Sequence, residues 1–347
     1  MQQDWNTTAT MIRGTLIDKE MKRTNRNLLL TCVIVLFGVG IYFASQWRYY
    51  ENFFRGPQRM DSATLDQVKD PASLDRYYVT LQGENEVDTG YMEVETNSSG
   101  AEIIKANYVV IGAGSHYLIV KKNPGEKGPE YTGALVAMPA EVKAGILDAV
   151  AKENPEAARD FEPYMLDATN FRHDGYWGLG LMIPLLLMAI WILRVVVMRT
   201  SSPGTHPIVV MLARHGEFAD VARKMDGETQ GETVRFGQLK MTAEWLLLSQ
   251  LYAFKAMRLD EVVWVYKKTT RKRVNFIPVG KEHSVVLTDR HALTIEARGG
   301  KEQMLDEFLA VIVPRLPNAL VGFDEQLQKL QMKDAGAFAA GLWERKQ

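Results

Sequence analysis

An α+β membrane protein with two transmembrane helices is the fold class the sequence predicts. Three observations carry it: two apolar runs long enough to cross a bilayer, a strand-rich stretch between them, and a second series of strands closed by one amphipathic helix. At 347 residues the chain exceeds one ordinary domain of roughly 100 to 200 residues, so two folded units with connecting segments are expected. Apolar residues at 46% and charged residues at 24% are globular values, which argues against a disordered chain.

The first run, Leu28 to Ala44, contains no charge and is bounded by Arg26 and Arg48. The second, Tyr176 to Met198, carries only Arg194, close enough to its end to snorkel to the headgroups. Neither shows the polar stripe of a helix packed in a soluble core. Trp47, Tyr49 and Tyr50 after the first run, and Tyr176 and Trp177 before the second, suit an interfacial aromatic belt on one side of the membrane. Residues 41–46 lack a small-x-small cleavage pattern, so the first run reads as an uncleaved anchor. Five basic residues precede it (Arg13, Lys19, Lys22, Arg23, Arg26) and three follow (Arg48, Arg55, Arg59), which predicts cytoplasmic termini in an integral plasma (inner) membrane protein.

The expected plan is a cytoplasmic N-terminal tail at 1–26, spans at 27–46 and 176–198, an extracytoplasmic β-rich domain at 47–175, a helical linker at 199–232, a β domain at 233–316 and C-terminal helices at 317–347. Residues 46–175 hold 13 Lys and Arg against 21 Asp and Glu, and residues 199–347 hold 22 against 18. An acidic outer part and a mildly basic inner part suit a chain whose inner domain lies near anionic lipid.

In the outer part, Tyr77–Gly83, Gly90–Thr96, Ala106–Gly112, His116–Lys122 and Tyr131–Met138 read as strands, followed by a helix from Ala140 to about Ala151. Five strands and a helix predict a small β-barrel-like domain. The run VVIGAGS from Val109 to Ser115 has the glycines of a dinucleotide fingerprint, but Tyr117 stands where the third would be and no βαβ unit follows. A hairpin turn is expected there, and no cofactor.

In the inner part, Leu239 to Ala297 reads as six or seven consecutive strands, and Lys301–Val313 as an amphipathic helix whose apolar face is Met304, Leu305, Phe308, Leu309, Ile312 and Val313. Antiparallel strands closed by a C-terminal helix, with LDEVVWVY at Leu259–Tyr266, resemble the pleckstrin-homology-like (PH-like) domains of bacterial membrane proteins. With its two spans the chain is similar to uncharacterised two-pass membrane proteins, a resemblance that implies a fold but no activity. Lys267, Lys268, Arg271, Lys272 and Arg273 fall where a hairpin turn is expected, and on a tethered domain each is worth about 1 kcal/mol against anionic headgroups.

Arg214, His215, Gly216 and Glu217 after an apolar run resemble the first motif of the histidine phosphatases. That resemblance implies His215 as phosphoryl acceptor and Arg214 as phosphate ligand. Neither His283–Ser284 nor His291–Ala292 matches the second motif of that family, and His215 is expected to face solvent. There is no HExxH, Cys pair or Walker loop, and the six histidines are scattered over both parts, so no metal site is expected. The expectation is a non-enzymatic scaffold, sensor or accessory subunit, with a membrane-anchored phosphatase as the alternative. Its partners would be membrane lipids and a membrane or cytoplasmic protein, or a second copy of the chain, and not nucleic acid.

Overall fold

Each apolar run lies inside a much longer helix. The computed structural model describes residues 5–126, 128–274, 277–298 and 302–345, with backbone alone at 6, 7, 272–274 and 277–279. Helix α1 is Trp5–Ile12, α2 is Leu16–Ser45 and α7 is Phe171–Ser201. At 1.5 Å per residue, a 30-residue helix is about 45 Å long and exceeds a hydrocarbon layer of about 30 Å. Only 6% of the apolar window of α2 and 17% of that of α7 are buried by the rest of the chain. The core helix of a soluble protein would be mostly covered; these are two helices apolar enough to cross a membrane. The chain divides into two units, residues 35–188 and residues 1–34 with 189–347.

In the unit 35–188, α2 ends at Ser45 and α3 (Trp47–Arg55) follows almost at once. Asn52 on α3 is fully buried. Its Nδ2 donates to the Asp75 carbonyl at 2.8 Å, and its Oδ1 accepts the amides of Tyr77 and Tyr78. The start of α7 is held against the same place. Phe171 stacks on Tyr78 with ring centres 4.1 Å apart, and the Tyr49 hydroxyl donates to the Phe171 carbonyl at 2.6 Å. Gly178 lets Tyr50 approach so closely that a Cβ there would lie 2.1 Å from its hydroxyl.

Beyond α3 come β1 (Gln58–Arg59), α4 (Ser62–Leu65), β2 (Tyr78–Gln82), β3 (Glu84–Thr96), β4 (Glu102–Ala113), β5 (His116–Lys122) and β6 (Glu130–Ala137). Then α5 (Ala140–Val142) and α6 (Asp148–Glu153) flank a π-helical segment, and β7 (Phe161–Asp167) leads to α7. The strands form one sheet in the order β1-β2-β6-β7-β5-β4-β3. This corrects the barrel expectation: among the described residues the sheet is open, with β1 and β3 as edges.

Residues alternate between its faces, as the period of two requires. Leu118, Val120 and Leu166 join Leu65 and Val68 on one side, whereas Ile119 and Met165 meet Val142 and Ile146 of the α5–α6 segment on the other. Strand β7 is not among the strands read from the sequence. The pairing with β5 skips from Tyr117↔Phe161 to Ile119↔Met165, so Pro163 sits in the irregularity, where its missing N–H costs no ladder bond. Gly133 on β6 is also required, since a Cβ would lie 2.1 Å from the Asp167 carbonyl oxygen. The VVIGAGS glycines serve the β4–β5 hairpin, with Ala113 opposite His116 and Gly114 at φ +70°.

In the other unit, α7 gives way within a few residues to α8 (Pro207–Leu212) and α9 (Phe218–Thr229). Strands β8 (Val234–Phe236), β9 (Leu239–Met241), β10 (Trp245–Ser249) and β11 (Phe254–Arg258) make one antiparallel sheet. Strands β12 (Val262–Val274), β13 (Ile277–Asp289) and β14 (Thr294–Arg298) make a second, joined by β15 (Leu320–Val321) parallel to β12. The sheets share a core of Leu246, Leu248, Met257, Val265, Val285, Leu287 and Ile295, closed by Leu305, Phe308 and Ile312 of α10 (Glu302–Ile312). After α11 (Glu325–Lys333), α12 (Ala335–Glu344) lays Phe338, Ala339 and Leu342 on Trp264 and Tyr266, the outer face of the second sheet.

The outer face of the first sheet is covered by α8, α9 and the N-terminus. Trp245, Leu247, Phe254 and Ala256 pack with Ile208, Leu212, Phe218, Ala222 and Met225, and also with Ile12 and Ile17. Residues 5–26 are therefore not a free tail, and α8 and α9 are a layer of the domain, not a spacer. Polar bonds continue the contact along α2: the Leu16 amide donates to Asp226 at 2.8 Å, Arg23 to the Gln250 carbonyl at 2.9 Å and Asn27 to the Leu251 carbonyl at 2.8 Å. The N-terminus and the C-terminal domain thus pack as one body.

His206 locks this junction. It is buried, its Nδ1 accepts the Ile208 amide at 3.2 Å to cap α8, and its Nε2 faces Thr24 Oγ1 of α2 at 3.5 Å. Burial, aided by Arg199, pushes its pKa down from 6.5 to about 4, so the folded chain holds it neutral. Its contribution to stability is complete above pH 6.5 and is lost as the pH falls toward 4, where the unfolded chain takes up the proton first. Chemical denaturation of the full chain should show about 2 kcal/mol less stability at pH 4.5 than at pH 7.5 from this group, after allowance for solvent screening. His206→Asn, which keeps a cap but cannot titrate there, should flatten the drop.

Asn52→Ala should cost about 2–3 kcal/mol, because it strands two buried amides and a carbonyl. Asn52→Asp, which retains the acceptor, should cost less in the same thermal unfolding assay.

Candidate functional site

The densest cluster of chemistry-bearing side chains gathers around Glu261. The chain leaves α8 through a 3₁₀ turn, Ala213–His215, then reverses at Gly216, whose φ of +136° favours glycine. Glu217 follows as the N-cap of α9, accepting the Asp220 amide at 3.1 Å. The four residues Arg214 to Glu217 are thus a helix–turn–helix connector, with Arg214 exposed. His215 points inward: its side chain is 2% exposed, against the expectation of a solvent-facing ring. The ring meets Trp245 edge-on at 5.1 Å.

Glu261 arrives from a 3₁₀ turn ahead of β12, and its side chain is 9% exposed. Oε2 lies 3.2 Å from His215 Nδ1 and 3.7 Å from His291 Nε2, while Oε1 takes the Arg290 guanidinium at 2.9 Å. Arg290 and His291 belong to the β13–β14 turn, which buried Asp289 shapes by accepting the His291 and Leu293 amides, both at 2.8 Å. The Arg290 amide also donates to the Glu261 carbonyl, and its guanidinium lies over Trp343 of α12 at 5.0 Å. Burial pushes the Glu261 carboxyl up, but His215, Arg290 and His291 outweigh it and hold its pKa below the usual value. Burial raises that of Asp289.

The histidines scattered in sequence are therefore not all scattered in space. His215 and His291 stand with ring centres 5.7 Å apart, brought together by the packing of the α8–α9 layer against the sheets. No local signal could have paired them, because the two residues lie on separate elements. A second group, Asp66, His116 and Glu162, forms in the other unit with Asp66 exposed.

The five basic residues belong to strand β12, not to a turn, and each has a β13 partner, with a register shift between Lys272 and Arg273. Successive strand residues face opposite ways, so Lys267 and Lys268 stand on different faces of the strand. Lys267 bonds Glu302 and Asp306 of α10 at 2.7 and 2.8 Å, whereas Lys268 bonds Glu296 of β14. Arg271 is exposed, and the side chains of Lys272 and Arg273 lie outside those described. An open cleft of about 690 Å³ lined by Gln238, Gln250, Lys255, Thr294, Glu296 and Arg298 runs between the two sheets.

His215→Ala should lower stability by about 1–3 kcal/mol in a thermal melt, since it opens a void beside Trp245 and removes a partner of a buried carboxylate. Arg214→Ala, on the exposed side of the same turn, should move it by less than about 0.5 kcal/mol.

No protein-family model, curated protein or solved structure matches the chain.

Proposed function

We propose that the chain is an integral membrane protein crossing the bilayer twice, with both termini cytoplasmic, and that it serves as a non-enzymatic coupling subunit between the domain 47–175 and the C-terminal domain. One observation carries this reading: neither crossing helix meets its folded domains through a flexible linker. In the unit 35–188, α2 passes into α3, and Asn52 and the Phe171–Tyr78 stack fasten both helices to the sheet. In the other unit, Ile17, Arg23 and Asn27 fasten α2, and α7 reaches the His206 cap of α8 within five residues. A helix held rigidly at both ends transmits a displacement instead of absorbing it.

The antiparallel strands β8–β14 in two sheets, with β15 added parallel to β12 and α10 closing the core, support a PH-like reading of the C-terminal domain. Anionic headgroups and a membrane or cytoplasmic protein are its proposed partners. Because Lys267 and Lys268 are engaged in ion pairs, the exposed Arg271 is the described member of the basic group left for the lipid contact. The phosphatase alternative is less well supported: a phosphoryl acceptor needs an open approach, and His215 is buried against a carboxylate that repels phosphate.

Topology is checked by labelling single introduced cysteines, since the one native cysteine, Cys32, is buried. Ser99→Cys should react with an impermeant reagent on intact cells and Lys333→Cys only after lysis; the reverse pattern would invert the orientation. Coupling is checked by hydrogen exchange on the full chain in lipid discs, at a temperature where all variants stay folded. Asn52→Ala should quicken exchange in residues 206–230, and a Gly-Ser insertion after Ser202 should abolish that response. Indifference of residues 206–230 to Asn52→Ala would sink the reading.

A further inference from the structure

We propose that His215, Glu261 and His291 form a binding site for a divalent transition metal of the zinc class, clamping the α8–α9 connector onto the two sheets. The three residues come from three separate elements: the connector, the turn before β12 and the β13–β14 turn. Their ligand atoms lie within 4.8 Å of one another. In a tetrahedral site with metal–ligand bonds of about 2.0–2.1 Å, ligand atoms stand about 3.3 Å apart. The 3.2 Å from Glu261 Oε2 to His215 Nδ1 and the 3.7 Å to His291 Nε2 are close to that spacing.

Two of the ligand atoms are also without hydrogen bonds. His215 Nδ1 and Glu261 Oε2 are both fully buried and, although within ion-pair distance, are not aligned to bond each other. Leaving buried polar atoms unpaired costs roughly 1–3 kcal/mol each, so a ligand that satisfies both at once is the natural account. Glu261 is oriented for it: Arg290 holds Oε1 and leaves Oε2 facing the two imidazoles, as outer-shell partners of metal ligands do.

Two imidazoles and one carboxylate select zinc, cobalt or nickel over magnesium or calcium, which favour all-oxygen sites. Arg290 Nε lies 3.2 Å from His291 Nε2, so metal entry replaces that one hydrogen bond while the guanidinium stays on Oε1. His291, 28% exposed, is the side from which an ion enters, and the fourth position is left for water.

The test uses the full chain in detergent, stripped with a chelator and titrated with Co²⁺ and then Zn²⁺. One equivalent of Co²⁺ should give the visible ligand-field bands of four-coordinate nitrogen and oxygen ligation. Zn²⁺ should displace it and raise the melting temperature, and excess Mg²⁺ should do neither. His291→Ala is on a turn held by backbone bonds to Asp289 and should fold. It and Glu261→Gln should each weaken binding by more than the roughly 10- to 100-fold that outer-shell changes cost. His116→Ala, in the second cluster, should leave binding unchanged. No binding by the native chain, binding that survives both His291→Ala and Glu261→Gln, or binding lost with His116→Ala would overturn the assignment.

Discussion

The packing of the N-terminus onto the outer face of β10 and β11 is the constraint on which the rest of the arrangement depends. Ile12 and Ile17 share a core with Leu212, Phe218, Met225, Trp245 and Phe254, so the first residues and the last domain fold as one body. An apolar core of this kind forms only where water can be excluded from both partners, which places them in one compartment. Two helices long and apolar enough to cross a membrane separate them in sequence. The same contact turns α2 from a tethered anchor into an element whose register is set at its base by Leu16, Arg23 and Asn27.

Buried polar groups fix the geometry at the ends of the two long apolar helices. Asn52 gathers three backbone groups of 75–78 to α3, and His206 caps α8 while facing α2. Apolar contacts alone tolerate small slides, whereas these bonds are directional and are lost when the partners move. Close approaches reinforce them: Gly178 admits the Tyr50 hydroxyl, and Gly204 admits the Trp5 ring to 2.6 Å of where a Cβ would stand. A chain built to relay a displacement needs such fixed points at each end of its helices, and the coupling proposal rests on them.

The Glu261 cluster shows how a short motif can mislead. Arg214 to Glu217 looks catalytic in one dimension because histidine, arginine, glycine and an acid are the residues of phosphate chemistry. In three dimensions they form a helix connector, in which Gly216 supplies the reversal, Glu217 the cap, and His215 faces a buried carboxylate. The next neighbour is an imidazole, which with that carboxylate makes a donor set suited to a cation and unsuited to a phosphate.

The sequence by itself determined what depends on local order. Charge-free runs located the two apolar helices, alternation located the strands from β2 to β6 and from β9 to β14, and the period of α10 marked a face of which Leu305, Phe308 and Ile312 are buried while Met304 is exposed. Each of these follows from a backbone repeat that neighbouring residues must satisfy together. Tertiary structure alone decided that the outer strands make an open sheet, since closure depends on which edges meet. It also decided that β7 threads the middle of that sheet, with Pro163 at a shift in its register with β5. The separation of Lys267 from Lys268, the burial of His215 and its meeting with His291 are of the same kind. They arise where elements distant in sequence pack, and no periodicity within a single element encodes which partner it will find.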